Sequence, residues 1–386
     1  MEIEIGRGKR GRRAYGLDDI AIVPSRRTRD PEDVDLSWQL GPHKFEMPLL
    51  ASAMDGVVNP AIAIQLGQLG GLGVLNLEGI QSRYENPDAE LQKIAEFPPD
   101  QATRGLQDIY RAREVSVDLM VQRIKEIKAS GVLTAGALTP QHVEQFIGPA
   151  LDAGLDILVI QGTVVSAEHV SSLVKPLNLK QFIADLAVPV IVGGCASYST
   201  ALHLMRTGAV GVLVGVGPGS ACTTRQVIGV GVPQATAIAD AAGARMQHVL
   251  ETGQYVNVIA DGGMAYGGDL AKAIACGADA CMVGSPLAKA TEAPGHGSHW
   301  GMATFHPELP RGTRVRTTAI GTLKEILLGP AHENDGSLNL IGGLRNALAT
   351  CGYESIQSFQ KCEVMIAPAL KTEGKKLQHA QSVGMG

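Results

Sequence analysis

Eight short apolar runs, separated by stretches of helical character, constrain the fold of this chain more than any other feature. They cover residues 47–54, 71–76, 133–138, 157–161, 189–194, 212–217, 256–261 and 280–285, and most close on Gly, Ser, Asn or Asp. Most are continuously apolar rather than alternating, as strands covered on both faces are. Residues 59–69, 116–129, 200–207, 236–250 and 269–276 have helical patterning, and Gly208 and Gly277 stand where a helix would stop. Eight strand–helix units of this kind predict one closed (β/α)8 barrel, a TIM barrel in a single domain. The 386 residues exceed a usual domain of roughly 100–200 residues but suit such a barrel.

Composition agrees. Hydrophobic residues make up 45%, enough for a large core, while aromatics are only 4% and glycines number 47, which favours parallel β/α architecture over an aromatic-rich sandwich. A net charge of −5 argues against a general nucleic-acid binder. The basic run RGKRGRR at 7–13 reads as a solvated arm. No stretch approaches the roughly 20 apolar residues of a membrane span, and the first residues lack the apolar core of a signal peptide. Six scattered cysteines form no disulfide framework. Cys276 and Cys281 lack zinc-site spacing and read as buried thiols beside a helix-to-strand turn. A reducing compartment, the cytoplasm, is expected.

Three segments exceed a minimal barrel. Residues 80–115 are polar, contain Pro87, Pro98 and Pro99, and read as an inserted helical excursion. Residues 294–321 are rich in Gly, His and Pro and read as a loop over the barrel mouth. The tail 371–386 is polar and is expected to be ordered where another subunit holds it. His296, His299 and His306 read as surface loop histidines, without the spacing of a strong metal motif.

In such barrels the active site lies at the C-terminal strand ends. Ser52 and Met54 end the first run, Gly193 and Gly194 the fifth, Asp261-Gly262-Gly263 the seventh and Gly284-Ser285 the eighth. The sixth runs into GVGPGSACTTRQVIGVGVPQATAI at 215–238. Its glycines permit backbone that directs several amides at one anion. Cys222 then stands as a nucleophile, with Ser220, Thr223 and Thr224 close by. Gly262, Gly263, Gly284 and Ser285 fit the phosphate site often built after strands seven and eight, and Asp261 suits sugar hydroxyls. Together these ends describe a nucleoside-monophosphate pocket.

The sequence resembles the family of IMP dehydrogenase and GMP reductase. The likeness is carried by YGLDDIAIVPSRR from residue 15, LLASAMDGVV from 49, GPGSACTTR with GVGVPQ, and IADGGMAYGGDLAKAIACGADACMVGSPLAKATEAPG from 259, and covers about 15–76 and 115–350. The resemblance implies that Cys222 attacks C2 of the purine and that Thr224 assists proton transfer. Carbonyls of Gly217, Gly219 and Cys222 would hold potassium. Ser220, Gly263, Gly284 and Ser285 would hold the phosphate with Gly262 beside them, and Asp261 the ribose. Ser52, Met54 and the Trp300-Gly301-Met302 stretch would line the nucleotide site. NAD would bind in the barrel mouth, with Gln161, Thr163, Gly215 and Gly217 as its contacts. A homotetramer, or an octamer of two stacked rings, is the family's form.

Departures from the family pattern keep more than one reading open. The 80–115 insertion is too short for the paired CBS modules usual in the dehydrogenase. The shortened flap has no adjacent Arg-Tyr pair between Met302 and Pro310 to activate water. Arg311 and Arg314 are the first candidates for that role, with Arg316, His299, His306 and Glu308 nearby. The fourth run reads VIQGTVVS, without the family's aspartate. GVGVPQATAI and GSPLAKATEAPG follow dehydrogenase wording, whereas the missing flap pair and CBS modules favour the reductase. The leading expectation is IMP oxidation to XMP; GMP reduction to IMP and a non-catalytic purine-nucleotide sensor are the alternatives.

Overall fold

The computed structural model describes residues 2–172, 176–302, 313–368 and 375–381. Eight parallel strands close into a barrel: β1 (Leu49–Ala51), β2 (Leu72–Asn76), β3 (Ala135–Leu138), β4 (Ile157–Gln161), β5 (Val190–Cys195), β6 (Gly211–Val214), β7 (Asn257–Asp261) and β8 (Ala280–Val283). Closure comes from β8 pairing with β1, with Met282 beside Leu50. All eight runs read from the sequence are the barrel strands.

Alternation along each strand sorts its side chains. Leu50, Leu72, Val74, Ile157, Val159, Ile191, Leu213, Ile259 and Met282 fill the barrel interior. Their neighbours Leu49, Leu75, Leu158, Ile160, Val192, Val212, Val258 and Val283 face the helices outside. This explains the continuous apolar runs. A hairpin of Trp38–Leu40 and His43–Phe45 plugs the N-terminal end, with Trp38 stacked on Phe45 at 5.2 Å between centroids.

Around the barrel run α1 (Pro60–Gln68), then α2 (Pro87–Glu96) and α3 (Ala102–Ala112) within the 80–115 insertion. They are followed by α4 (Val117–Ala129), α5 (Val143–Asp152), α6 (Leu179–Ala184) and α7 (Tyr198–Met205). A short α8 (Thr224–Val227) precedes α9 (Gln234–Thr252) and α10 (Gly267–Ala275). Side-chain caps mark several starts: Asn59, Ser116, Asn178 and Ser197 each accept a backbone N–H of the first turn. Gly208 and Gly277 follow their helices at φ +94° and +112°, a conformation that favours glycine. Cys281 is buried; Cys276 is only partly so, yet desolvation raises its thiol to about 12. Of the 371–386 tail, only residues 375–381 are described, with a short helix at Lys376–Gln381.

Candidate active site

The same alternation decides what faces the C-terminal mouth. On β4 the inward residues 157 and 159 are followed by Gln161, and on β7 Ile259 is followed by Asp261. The two side chains therefore meet over the core, where Gln161 Nε2 donates to Asp261 Oδ2 at 3.2 Å. Desolvation raises the Asp261 carboxyl to about 7, and the Gln161 hydrogen bond pulls the other way. The Gln161 Oε1 atom is buried and has no partner among the described residues.

A pocket opens above this layer. Its wall comprises Ser52, Ala53 and Met54 after β1, Gln161, Gly162 and Thr163 after β4, and Gly215 and 217–223 after β6. Asp261, Gly262, Gly263 and Met264 after β7, Gly284 and Ser285 after β8, and Gly301 and Met302 complete it. Gly262 and Gly263 both stand at φ +79°, so the chain turns sharply with no Cβ to bear the strain.

The loop after β6 is held from below. Arg225 Nε donates to Val216 O at 3.2 Å, and its Nη2 donates to Val232 O at 2.6 Å. Gln234, the glutamine of GVGVPQ, donates through Nε2 to Val214 O at 2.7 Å and to Asp261 O at 3.2 Å. It thereby ties the ends of β6 and β7. Carried on this frame, Cys222 is exposed to the pocket, and its Sγ lies 2.9 Å from Thr224 Oγ1. Thr224 itself is fully buried.

Two serines converge at one end of the pocket. Ser220 Oγ and Ser285 Oγ are 2.5 Å apart, and His299 Nε2 lies 2.8 Å from Ser285 Oγ and 3.4 Å from Ser220 Oγ. His299 corrects the surface-histidine expectation: it is completely buried. Burial first, and then the charge of Lys289, lower its pKa to about 4, so the ring is neutral at physiological pH. Sequence reasoning gave it no role in the serine cluster, because nothing local separates it from His296. His296 is partly exposed and instead pairs with Asp88 at 2.8 Å.

Two other candidates sit apart from the pocket wall. Trp300 is fully buried and turns its indole away from the cavity, donating from Nε1 to Tyr110 Oη at 2.9 Å. Arg314 Nη1 donates to Ile94 O at 2.6 Å, on the insertion. Arg311, His306 and Glu308 lie outside the described residues. Among the described residues no group of three or more His, Cys, Asp or Glu side chains is arranged to hold a metal ion, and no helix is long and apolar enough to cross a membrane.

A closed eight-stranded barrel with a pocket at its C-terminal mouth, walled in part by a glycine-rich loop that carries Cys222, has the architecture of a (β/α)8 enzyme. Residues 14–305 match the family model for the IMP dehydrogenase / GMP reductase domain, and the chain belongs to that family of oxidoreductases. It is 48% identical, over 93% of its length and 98% of the relative's, to a Mycolicibacterium smegmatis protein named as an uncharacterized oxidoreductase. It is 32% identical to the inosine-5'-monophosphate dehydrogenase of Borreliella burgdorferi, over 73% of this chain and 71% of that one. The crystal structure of an IMP dehydrogenase/GMP reductase-like protein from Corynebacterium glutamicum superposes with a TM-score of 0.89 at 45% identity, covering 95% of this chain and 97% of that chain.

Proposed function

We propose that this oxidoreductase is an IMP dehydrogenase that oxidises IMP to XMP through a covalent adduct on Cys222. The observation that carries the reading is the Cys222–Thr224 contact of 2.9 Å at the wall of a pocket whose other walls suit a nucleoside monophosphate. Ser220, Ser285 and the loop glycines receive the phosphate, and Asp261 accepts the ribose hydroxyls. Purine C2 then lies against Sγ. The thiolate adds to C2, hydride leaves C2, and water cleaves the resulting C2–S bond to release XMP and restore the thiol. Thr224 holds and returns the proton of the sulfur.

When bound as second substrate, NAD would supply the hydride acceptor. The unpartnered Gln161 Oε1, beside Gly162 and Thr163 on the pocket wall, fits an amide or hydroxyl donor from it. Gly215 and Gly217 border the same space. For potassium, Gly219 O already accepts the Cys222 N–H at 3.0 Å, which leaves it a second lone pair. The Gly217, Gly219 and Cys222 carbonyls are the candidate ligands. A cytoplasmic homotetramer, or an octamer of stacked rings, with no nucleic-acid or membrane partner, completes the proposal.

One observation favours the second reading, GMP reductase. Arg314, a candidate for water activation, is bonded to the insertion instead. A reductase needs no activated water: the thiol would displace ammonia at C2 of GMP, and hydride from NADPH would then add at C2 and expel the thiolate to give IMP. Two assays run side by side decide. IMP with NAD and potassium should yield NADH and XMP, while GMP with NADPH should yield neither IMP nor ammonia. The reverse pattern assigns the reductase. Nucleotide binding with no turnover in either assay leaves a sensor.

A further inference from the structure

The insertion between β2 and β3 is fastened to the segment that completes the pocket after β8. His296 Nε2 meets Asp88 Oδ1 at 2.8 Å at the start of α2. On the far side of the flap, Arg316 Nη2 donates to Ala95 O and Phe97 O at 3.1 and 3.2 Å. With Arg314 on Ile94 O, these arginines occupy carbonyls at the C-terminal end of α2, which have no partner within the helix.

The innermost link is the most telling. Trp300 packs in the insertion's own apolar core, with Ile80, Leu91, Ile94 and Leu106, yet the next residue, Gly301, lines the pocket. Its indole N–H donates to the Tyr110 hydroxyl, and that hydroxyl in turn donates to the carboxylate of Asp55. Asp55 is buried directly after Met54, another pocket residue, and also accepts Ile80 N at 3.1 Å and Asn76 Nδ2 at 3.2 Å. Gly79 makes room for it, because a Cβ there would stand 1.9 Å from Asp55 Oδ1.

We propose that the insertion is a positioning device for the pocket, and that Tyr110 and Trp300 are its positioning residues. Through Trp300 they place Gly301 and Met302, and through Asp55 they place Met54. The two walls of the nucleotide site are thereby locked to one hydroxyl on α3. The binding consequence rests on the IMP reading above; the mechanical coupling does not.

Tyr110→Phe keeps its ring and removes the hydroxyl that donates to Asp55 and accepts from Trp300, while Trp300→Phe removes the indole N–H together with part of the buried ring. Tyr255→Phe serves as the control. It deletes a comparable tyrosine–carboxylate bond, to Asp279 Oδ1 at 2.6 Å, beside the plug at the opposite end of the barrel. Amide exchange of a peptide spanning 296–302, calorimetric IMP affinity and the melting temperature are measured on all three. Either pocket-side variant should raise exchange in that peptide and weaken IMP binding about tenfold. Tyr255→Phe should lower only the melting temperature. The proposal is overturned if both pocket-side variants lower the melting temperature yet leave exchange and affinity as the control does. Should the unaltered protein bind no IMP, the functional reading fails, and the exchange measurement alone decides the coupling.

Discussion

The sulfur of Cys222 and the hydroxyl of Thr224 lie 2.9 Å apart across the pocket wall: the thiol faces the cavity and the threonine is sealed behind it. A buried hydroxyl needs a partner, and here the Cys222 thiol provides it. In the proposed mechanism this contact, in which either group can donate, orients the sulfur and holds its proton.

Thr224→Val keeps the shape and removes the hydroxyl. It should lower kcat by about 10²–10³, the range expected for one proton-transfer group. IMP affinity should change by less than about threefold, because Thr224 does not line the cavity. Steady-state rates with parallel calorimetry check this. An unchanged kcat would remove Thr224 from the mechanism.

His299 should act on binding rather than on chemistry. His299→Ala leaves two serine hydroxyls without their shared partner, and the half-saturating IMP concentration should rise about 10- to 30-fold with kcat nearly constant. The histidine also sets an acid limit. Its native pKa of about 4 lies below the ordinary 6.5, so the unfolded chain takes up its proton first. Stability from this site is complete above pH 6.5 and is lost as pH falls toward 4. A melting-temperature profile should be flatter across that window in His299→Gln.

Asp261 carries the opposite sign. Its carboxyl is raised from 3.8 to about 7, so the native chain keeps a proton that the unfolded chain has lost. Stability therefore declines as pH climbs between those values and stays lower above them. Asp261→Asn should raise stability at pH 8 by about 1–2 kcal/mol, a figure reduced because the group borders an open pocket, with no gain at pH 4. Its IMP affinity should fall sharply. A stability difference that is constant with pH would contradict the assignment.

Arg225 tests the frame beneath the nucleophile. Replacing it with Met removes both carbonyl contacts while keeping the apolar stem. Catalytic rate should drop about tenfold or more, since a displacement of about 1 Å at a reacting group is costly. The barrel itself should melt within a few degrees of the original, as followed by circular dichroism.

Much of this was legible in the sequence because barrel strands carry their own signal. Apolar runs such as 157–161 and 256–261 end where polarity returns, and that return brings Gln161 and Asp261 to the mouth. The glycines and serines of the pocket were readable for the same reason. What escaped lies after β8, where no periodicity exists. His299 and His296 belong to one short loop, yet one is buried against two serines and the other meets Asp88. Partners far off in the chain accompany each orientation: Ser220 for His299, and Asp88 on the insertion for His296. Trp300 likewise reads as part of the nucleotide wall, but α3 offers its indole an apolar core and the Tyr110 hydroxyl. Contacts across some 190 residues leave no local trace.

Acid-quenched intact-mass analysis of the enzyme during turnover of IMP with NAD tests the central claim most directly. The account predicts a fraction of protein heavier by one purine nucleotide, with the label on the peptide bearing Cys222 and absent in Cys222→Ala, which should also produce no NADH. Continued NADH formation by Cys222→Ala, or turnover with the nucleotide attached to some other residue, would contradict it.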